Sequence, residues 1–282
     1  MPMLTTILHT ATLGDLHKDA IAAVIPGEFE VCSGHCRLYH RTQPLPEALM
    51  VLRQQLGFDI NMLPPRFDVE EVGLLLTDMD STLINIECID EIADFAGVKP
   101  QVAAITEAAM RGELDFAASL TQRVATLDGL DEGVLQRVYD ERLAPNPGAE
   151  ALVAGLHRHG VKVGVVSGGF TFFTDRLKAR LALDFSRANV LEQGGGKLTG
   201  RVVGAIVDAA AKARFLEELC EELRISPSQS IAMGDGANDL LMMQRAGLGI
   251  AYRAKPKVQL QADVVLNHAT LAEVLHLISC RE

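Results

Sequence analysis

The spacing of apolar and polar residues divides this chain into stretches of different period. Residues 72–77, Val-Gly-Leu-Leu-Leu-Thr, form a short charge-free run, which predicts a strand buried in a parallel sheet. Asp78-Met79-Asp80-Ser81-Thr82 follow at its carboxyl end. The period then changes to that of a helix. Ile89, Ile92, Ala93 and Ala96 share one face as far as Gly97, and Val102, Ile105 and Ala109 share another as far as Gly112. Phe116, Leu120, Val124 and Leu127 predict a third helix with Asp115 as N-cap, and Val134, Leu135 and Val138 a fourth that opens at Asp131. Residues 85–143 are therefore expected to hold four helices and no strand, an insert placed to cover the end of the first strand as a cap.

From Pro147 strands and helices alternate. Helices are expected up to residue 159 and over 171–181, 209–223, 239–246 and 271–279. Strands are expected over 161–166, 230–233, 248–251 and 264–266, with short strands and a Gly-rich turn within 189–207. Such alternation predicts an α/β fold, a doubly wound parallel sheet with right-handed crossovers and helices on both faces. Residues 1–66 read as a separate small α/β module: strands over 4–13 and 37–40, helices over 17–24 and 46–56, and a break at Asn61-Met62-Leu63-Pro64-Pro65. The expected domains are this N-terminal module, a core of 67–84 and 144–282, and a helical cap of 85–143. The module carries no chemical motif and would suit regulation or homodimerisation.

The chain has 282 residues, 48% hydrophobic and 22% charged, an ordinary globular balance. No apolar run approaches the ~18 residues of a membrane span, and residues 1–16 lack a basic patch before an apolar core, so neither an anchor nor a signal peptide is expected. The five cysteines, Cys32, Cys36, Cys88, Cys220 and Cys280, are scattered and odd in number, which favours a reducing cytoplasm over a disulfide framework. Cys32 and Cys36 with His35 between them lack the second pair that would complete a zinc site. A net charge of −11 argues against nucleic acid or an anionic membrane as partner, and an enzyme acting on an anion would need a local positive site, which bound Mg²⁺ could supply.

Candidate chemistry lies where strands end, the place where open α/β sheets bind ligands. Asp78 and Asp80 could supply a nucleophile, a metal ligand and a general acid within one turn, although the five residues alone fit equally well a turn that stops a strand and caps a helix. Ser167-Gly168-Gly169 could cradle an anion with backbone amides, or be a common turn. In Gly234-Asp235-Gly236-Ala237-Asn238-Asp239, helix capping would explain one carboxylate, and the surplus of hard oxygen ligands suits Mg²⁺. Lys212, by itself a solvated lysine, becomes the expected charge partner of a phosphoryl group once these turns converge. Glu87, Met110, Phe116 and Arg123 of the insert are candidates through the overall pattern.

In order along the chain, Asp78-x-Asp80-x-Thr82, Ser167, Lys212 and Gly234-Asp235-Gly236-x-Asn238-Asp239 resemble the four motifs of the haloacid dehalogenase-like superfamily. The finer resemblance is to its phosphoserine phosphatase family: Glu87 and Ile89-Asp90-Glu91-Ile92 resemble the cap entry, Met110-x-Gly112 with Phe116 and Arg123 the cap motif, and Ser167-Gly168-Gly169-Phe170 the second motif. It covers roughly residues 70–280, with residues 1–66 outside it. The resemblance implies a Rossmann-type core and Mg²⁺-dependent hydrolysis of phosphoserine, the last step of serine biosynthesis. It makes Asp78 the nucleophile and Asp80 the acid and base. The metal would be held by Asp78, the Asp80 carbonyl and Asp235, with Asp239 supporting them. Ser167, Gly168, Gly169, Lys212 and Asn238 would hold phosphate, Glu87 the substrate ammonium and Arg123 its carboxylate, with Met110 and Phe116 closing the pocket. Another small-molecule phosphatase, a phosphotransferase, or a regulatory module with a vestigial site are the competing readings.

Overall fold

The protein was analysed as a computed structural model in which residues 3–278 are described, so Cys280 and Ser279, the end of the expected closing helix, lie outside the described residues. In chain order the elements are β1 (Leu4–Leu8), α1 (Asp15–Val24), β2 (Gly27–Val31), β3 (Cys36–His40), α2 (Pro46–Gln55), β4 (Ile60–Met62), β5 (Leu74–Thr77), α3 (Cys88–Phe95), α4 (Lys99–Met110), α5 (Phe116–Ala125), α6 (Gly133–Glu141), α7 (Ala149–Arg158), β6 (Lys162–Phe170), α8 (Thr171–Leu181), β7 (Phe185–Gly194), β8 (Lys197–Val203), α9 (Ala209–Leu223), β9 (Ser230–Gly234), α10 (Leu240–Arg245), β10 (Leu248–Tyr252), α11 (Pro256–Gln259) and β11 (Val264–Leu266). Residues Leu271–Leu277 form a 3₁₀ helix, tighter than the α-helix that its apolar spacing suggests.

The main sheet has seven strands in the order β11-β10-β9-β5-β6-β7-β8. Every position of β5, β9, β10 and β11 is buried, as charge-free runs in a two-sided parallel sheet require. All neighbours pair in parallel, as the alternation of strands and helices predicts, except β7 and β8, which form an antiparallel hairpin at one edge. The cause is local. Gly195 and Gly196 both have positive φ (61° and 78°) and form the two-residue turn whose twist matches a tight hairpin.

Four helices, α3 to α6, lie between β5 and α7. Asp115 caps α5 by accepting the Ala118 N–H at 2.7 Å. Two chain crossings join these helices to the sheet. Asn85 N–H donates to Ala144 O at 3.0 Å, and the Asn85 side chain accepts the Ala144 N–H at 2.7 Å. Buried Asn146 donates to Thr82 O at 2.8 Å and to Ile84 O at 2.9 Å. The β7–β8 hairpin forms a further tether, with Gly129 N–H on Leu198 O and Leu198 N–H on Leu130 O at 2.9 and 2.8 Å.

The first residues form a four-stranded antiparallel sheet, order β2-β3-β1-β4, with Ile21, Ile25, Leu38 and Leu52 in its core. The strand expected over 4–13 stops at Leu8, and two strands escaped the sequence pattern. The β2 strand is mostly exposed, its glutamates alternating with Phe29 and Val31, so it forms by pairing with β3 rather than by burial. The β4 strand lies beside the two prolines and pairs with β1. Next to it, Asn61 bonds both backbone groups of Val265 on edge strand β11, each at 2.9 Å. Buried Asp59 accepts the N–H groups of Asn267, His268 and Ala269 at 2.8–3.0 Å. These side chains cover an otherwise unpaired sheet edge and fix the small sheet against the large one.

Candidate active site

Strand register sets the site. Thr77 at the end of β5 is level with Val165 on β6 and Met233 on β9, so the turns beginning at Asp78, Ser167 and Asp235 open on one level. The Asp78 N–H donates to Met233 O at 2.8 Å, which holds it to β9. Beyond it the chain turns sharply: Asp80 stays extended and Ser81 adopts φ 55°, an uncommon conformation for a residue with a side chain. The Ser81 hydroxyl, which donates to Glu87 Oε1 at 2.6 Å, and its N–H, which donates to Ile86 O at 3.1 Å, secure that turn.

The turn sends Asp80 toward Ser167. Its carboxylate accepts the Cys88 N–H at 2.9 Å and the Ser167 hydroxyl at 3.3 Å. Gly169 allows this approach, since a Cβ there would stand 2.7 Å from Asp80 Oδ2 and 3.0 Å from Ser167 Oγ. A Cβ on Gly168 would meet the Phe116 ring at 2.7 Å, so the cap presses directly on this turn.

Lys212 is fully buried, and its Nζ lies 2.7 Å from both Asp78 Oδ1 and Asp239 Oδ1. Carboxylate oxygens of Asp78, Asp235 and Asp239 lie within 4.8 Å of one another. Burial and the Asp239 charge push Asp78 well above the usual carboxylate range, against Lys212. Burial, then Asp239, pushes Asp235 up to about 6, opposed by Lys212 and a Thr82 hydrogen bond. Burial pulls on Lys212, but Asp239 and Asp78 outweigh it and hold the ammonium above its ordinary value. Burial also raises Asp80 against the hydrogen bonds from Cys88 and Ser167. The cluster therefore has more carboxylate than cation, and its hard oxygens fit a divalent metal ion.

Above these residues lies a cavity of about 550 Å³, a size suited to a small ligand. Asp78, Asp80, Ser167, Gly168, Gly169, Asp235 and Asn238 line its floor, and Glu87, Met110, Phe116 and Arg123 line its cap side. Met110 ends α4 and is 71% exposed, a rim residue rather than a buried wall. Arg123 is half-buried on α5, where burial lowers its pKa and Asp90, Glu87 and Asp80 oppose that. Confinement, then the Asp80 charge, pushes Glu87 up to about 7. Lys212 serves the floor from beneath through its two carboxylate partners.

Asp90, from the cap-entry segment 89–92, and Lys255, which no motif singled out, also line the cavity. Buried Asn189 donates to Gly168 O and accepts the Val207 N–H, both at 2.8 Å, tying the phosphate-type turn to the segment that leads into α9 and Lys212. Nothing in the mixed polar and apolar sequence of β7 sets Asn189 apart from its neighbours.

Residues 72–247 match the haloacid dehalogenase-like hydrolase family. The sequence is 53% identical over 227 residues to the phosphoserine phosphatase of Polaromonas sp. (strain JS666), covering 79% of this chain and 96% of that one. The fold superposes on the unliganded structure of a protein named probable phosphoserine phosphatase from Vibrio cholerae with a TM-score of 0.85 and 39% identity, over 98% of this chain and 86% of that one. A structure titled phospho-aspartyl intermediate analogue of phosphoserine phosphatase matches with a TM-score of 0.69 and 41% identity, over 74% of this chain and 99% of the other.

Proposed function

The chain belongs to the haloacid dehalogenase-like hydrolase family, and from that membership we propose that it hydrolyses O-phospho-L-serine to L-serine and phosphate with Mg²⁺ as its metal. One observation carries the reading. A single small cavity has the Asp78–Asp80 pair on its floor and Glu87 and Arg123 on its cap side, complementary to a phosphate ester that also bears an ammonium and a carboxylate.

Each group has a task that its surroundings support. Lys212 and the Met79 N–H both engage Asp78 Oδ1, so the second oxygen is the one free to attack phosphorus. The new O–P bond makes an aspartyl-phosphate as the bond to the serine oxygen breaks. Asp80, raised by burial, retains a proton for that oxygen, then takes one from the water that hydrolyses the aspartyl-phosphate. The Ser167 hydroxyl, the turn at Gly168 and Gly169, whose Gly169 N–H orients the Ser167 oxygen, and Asn238 face the remaining phosphate oxygens, and Lys212 offsets charge from beneath through Asp78. Arg123 offers a two-pronged fork to the substrate carboxylate, and Glu87 takes the ammonium. Phe116 and Met110 limit the length of the side chain that fits.

Mg²⁺ would be held by Asp78, Asp235 and the Asp80 carbonyl with Asp239 in support, and when bound it offsets carboxylate charge and polarises the phosphoryl group. The same reading divides the chain into a small module (1–66), a core (67–84 and 144–282) and a cap (85–143). It places the protein in the cytoplasm at the last step of serine biosynthesis, with homodimerisation through the module as a further proposal. Among the described residues no helix is long and apolar enough to cross a membrane, and Cys36, Cys88 and Cys220 are free thiols.

Phosphate release from L-phosphoserine, with Mg²⁺ and with a chelator, tests the proposal. Release no greater than that of an Asp78→Asn variant would refute the chemistry. Release from many esters without preference, unaffected by Arg123→Ala, would refute the substrate.

A further inference from the structure

A second group of metal-binding side chains lies away from the cavity, where the small N-terminal sheet meets the core. His9 follows β1, while Glu273 and His276 lie on the 3₁₀ helix Leu271–Leu277. Three residues complete a turn of such a helix, so Glu273 and His276 share one face. One ligand atom from each of His9, Glu273 and His276 falls within 4.8 Å of the other two. We propose that these three residues bind a divalent transition cation of the Zn²⁺ type and thereby fasten the N-terminal module to the core.

The independent sign is His9 itself. Its ring is wholly removed from solvent, yet neither nitrogen has a hydrogen-bond partner. A buried polar group left so is costly, by roughly 1–3 kcal/mol, and calls for a bound ligand. Its nearest acidic neighbour, Glu273 Oε2, is 4.0 Å away. The other Glu273 oxygen accepts the Thr270 N–H at 3.0 Å, which aims Oε2 at the histidine. Oxygen and nitrogen ligands about 2.0–2.2 Å from a tetrahedral ion stand roughly 3.3 Å apart, so closure draws His9 and Glu273 together by about 0.7 Å and any pair at the 4.8 Å limit by about 1.5 Å. Tyr252 Oη, on a fully buried ring, is another polar atom without a hydrogen bond, and the Glu273 charge reaches it.

Residues of the module frame the outward side of the group. His35 stacks on His276 with ring centres 4.6 Å apart, and the turn at Gly34 closes over it: a Cβ there would lie 3.2 Å from His276 Nε2. The outward end of the group is thereby fixed by residues of the module, the inward end by the 3₁₀ helix. An ion bridging the two stabilises the docked state because it binds that state alone.

The test uses the full chain with excess Mg²⁺ to occupy the carboxylate cluster. Zn²⁺ should bind at one equivalent and raise Tm, and Co²⁺ should give the visible absorption of a site with nitrogen ligands. His276→Gln should weaken Co²⁺ binding by roughly 100-fold or more, since even partners outside the ligand set change affinity 10–100-fold, while Mg²⁺-supported turnover persists. Equal Co²⁺ binding by wild type and variant, or none by either, overturns the proposal. Anomalous diffraction at the zinc edge on wild-type crystals is independent of any variant's folding. A peak between His9, Glu273 and His276 supports the site, and a peak solely at the carboxylate cluster, or none, refutes it.

Discussion

Removing the Lys212 ammonium should destabilise the protein strongly, and the amount can be bounded. Lys212 is 1% exposed, Asp78 7% and Asp239 0% by side chain, and both contacts are 2.7 Å. Lys212→Met keeps the apolar stem and deletes the charge. Breaking a buried pair in this way costs about 3–5 kcal/mol, because a carboxylate is left without a counter-ion. A second route gives the same scale. The stranded group can escape by taking up a proton, and protonating an ordinary carboxylate of pKa ~3.9 at pH 7 costs about 1.4 kcal/mol per pH unit, or about 4 kcal/mol. The same sum at pH 5 gives about 1.5 kcal/mol. The loss must therefore shrink with acid, since the folded variant holds a proton that the unfolded chain releases in this window.

The measurement is urea unfolding with chelator present. At a slope of about 3 kcal/mol/M, a loss of 4 kcal/mol lowers the midpoint by roughly 1.3 M. The double variant Lys212→Met/Asp239→Asn removes one carboxylate as well and should recover at least half of the loss. Mg²⁺ added to the single variant should also restore stability, because the cation supplies the missing charge. A single-variant loss under about 1 kcal/mol at pH 7, or one unchanged at pH 5, would refute the reasoning.

Glu87, raised to about 7, should make kcat/KM for phosphoserine rise through neutral pH as the carboxylate that attracts the ammonium forms; Glu87→Gln should flatten that limb, and an unchanged profile would contradict the assignment. The same raised value means that Glu87 favours folding most below its unfolded pKa and loses that contribution as pH rises through about 7, so Glu87→Gln should gain relative stability toward alkaline pH in chelator. Asn189→Ala leaves Gly168 O and the Val207 N–H without their 2.8 Å partners and should cost about 2–4 kcal/mol in urea unfolding together with a fall in kcat. Gly169→Ala, which forces a methyl to 2.7 Å from Asp80 Oδ2, should lower kcat more than it raises KM, and equal kcat would show that the turn yields freely.

The parts of this fold that could be read from the sequence are those whose residues carry their own reason for being there. Strands β5, β9 and β10 are charge-free because both faces are covered, and α3 and α4 end at glycines with φ 71° and 78°. The α/β class follows from such elements. Strand β2 escaped because its stability resides in its partner, and β4 because its neighbours are prolines. The Gly-rich turn expected within 189–207 is Gly195-Gly196, whose positive φ values reverse the chain into antiparallel β8. Within the site, sequence order suggested which turns converge, and register brings Asp78, Ser167 and Asp235 to one level. Asn189, Asn146 and Lys255 were not legible, because each is an ordinary polar residue until the fold decides what lies opposite it.

The same distinction explains how a chain of net charge −11 can be suited to an anionic substrate. Net charge is a sum over the surface, whereas the cavity is a local count. Its lining holds five carboxylates, Asp78, Asp80, Glu87, Asp90 and Asp235, against two cations, Arg123 and Lys255, with Lys212 beneath. Such a lining repels a phosphate dianion unless protons or a divalent ion reduce the charge. Burial already raises Asp78, Asp80, Glu87 and Asp235, so part of the reduction is built into the fold. On the proposed function, the remainder would fall to a divalent ion, for substrate binding as well as for turnover. In chelator, phosphoserine affinity should therefore collapse along with kcat, and a Kd unchanged by Mg²⁺, measured by calorimetry on Asp80→Asn, which keeps the backbone carbonyl proposed for the metal, would show that Arg123, Lys255 and Lys212 suffice by themselves.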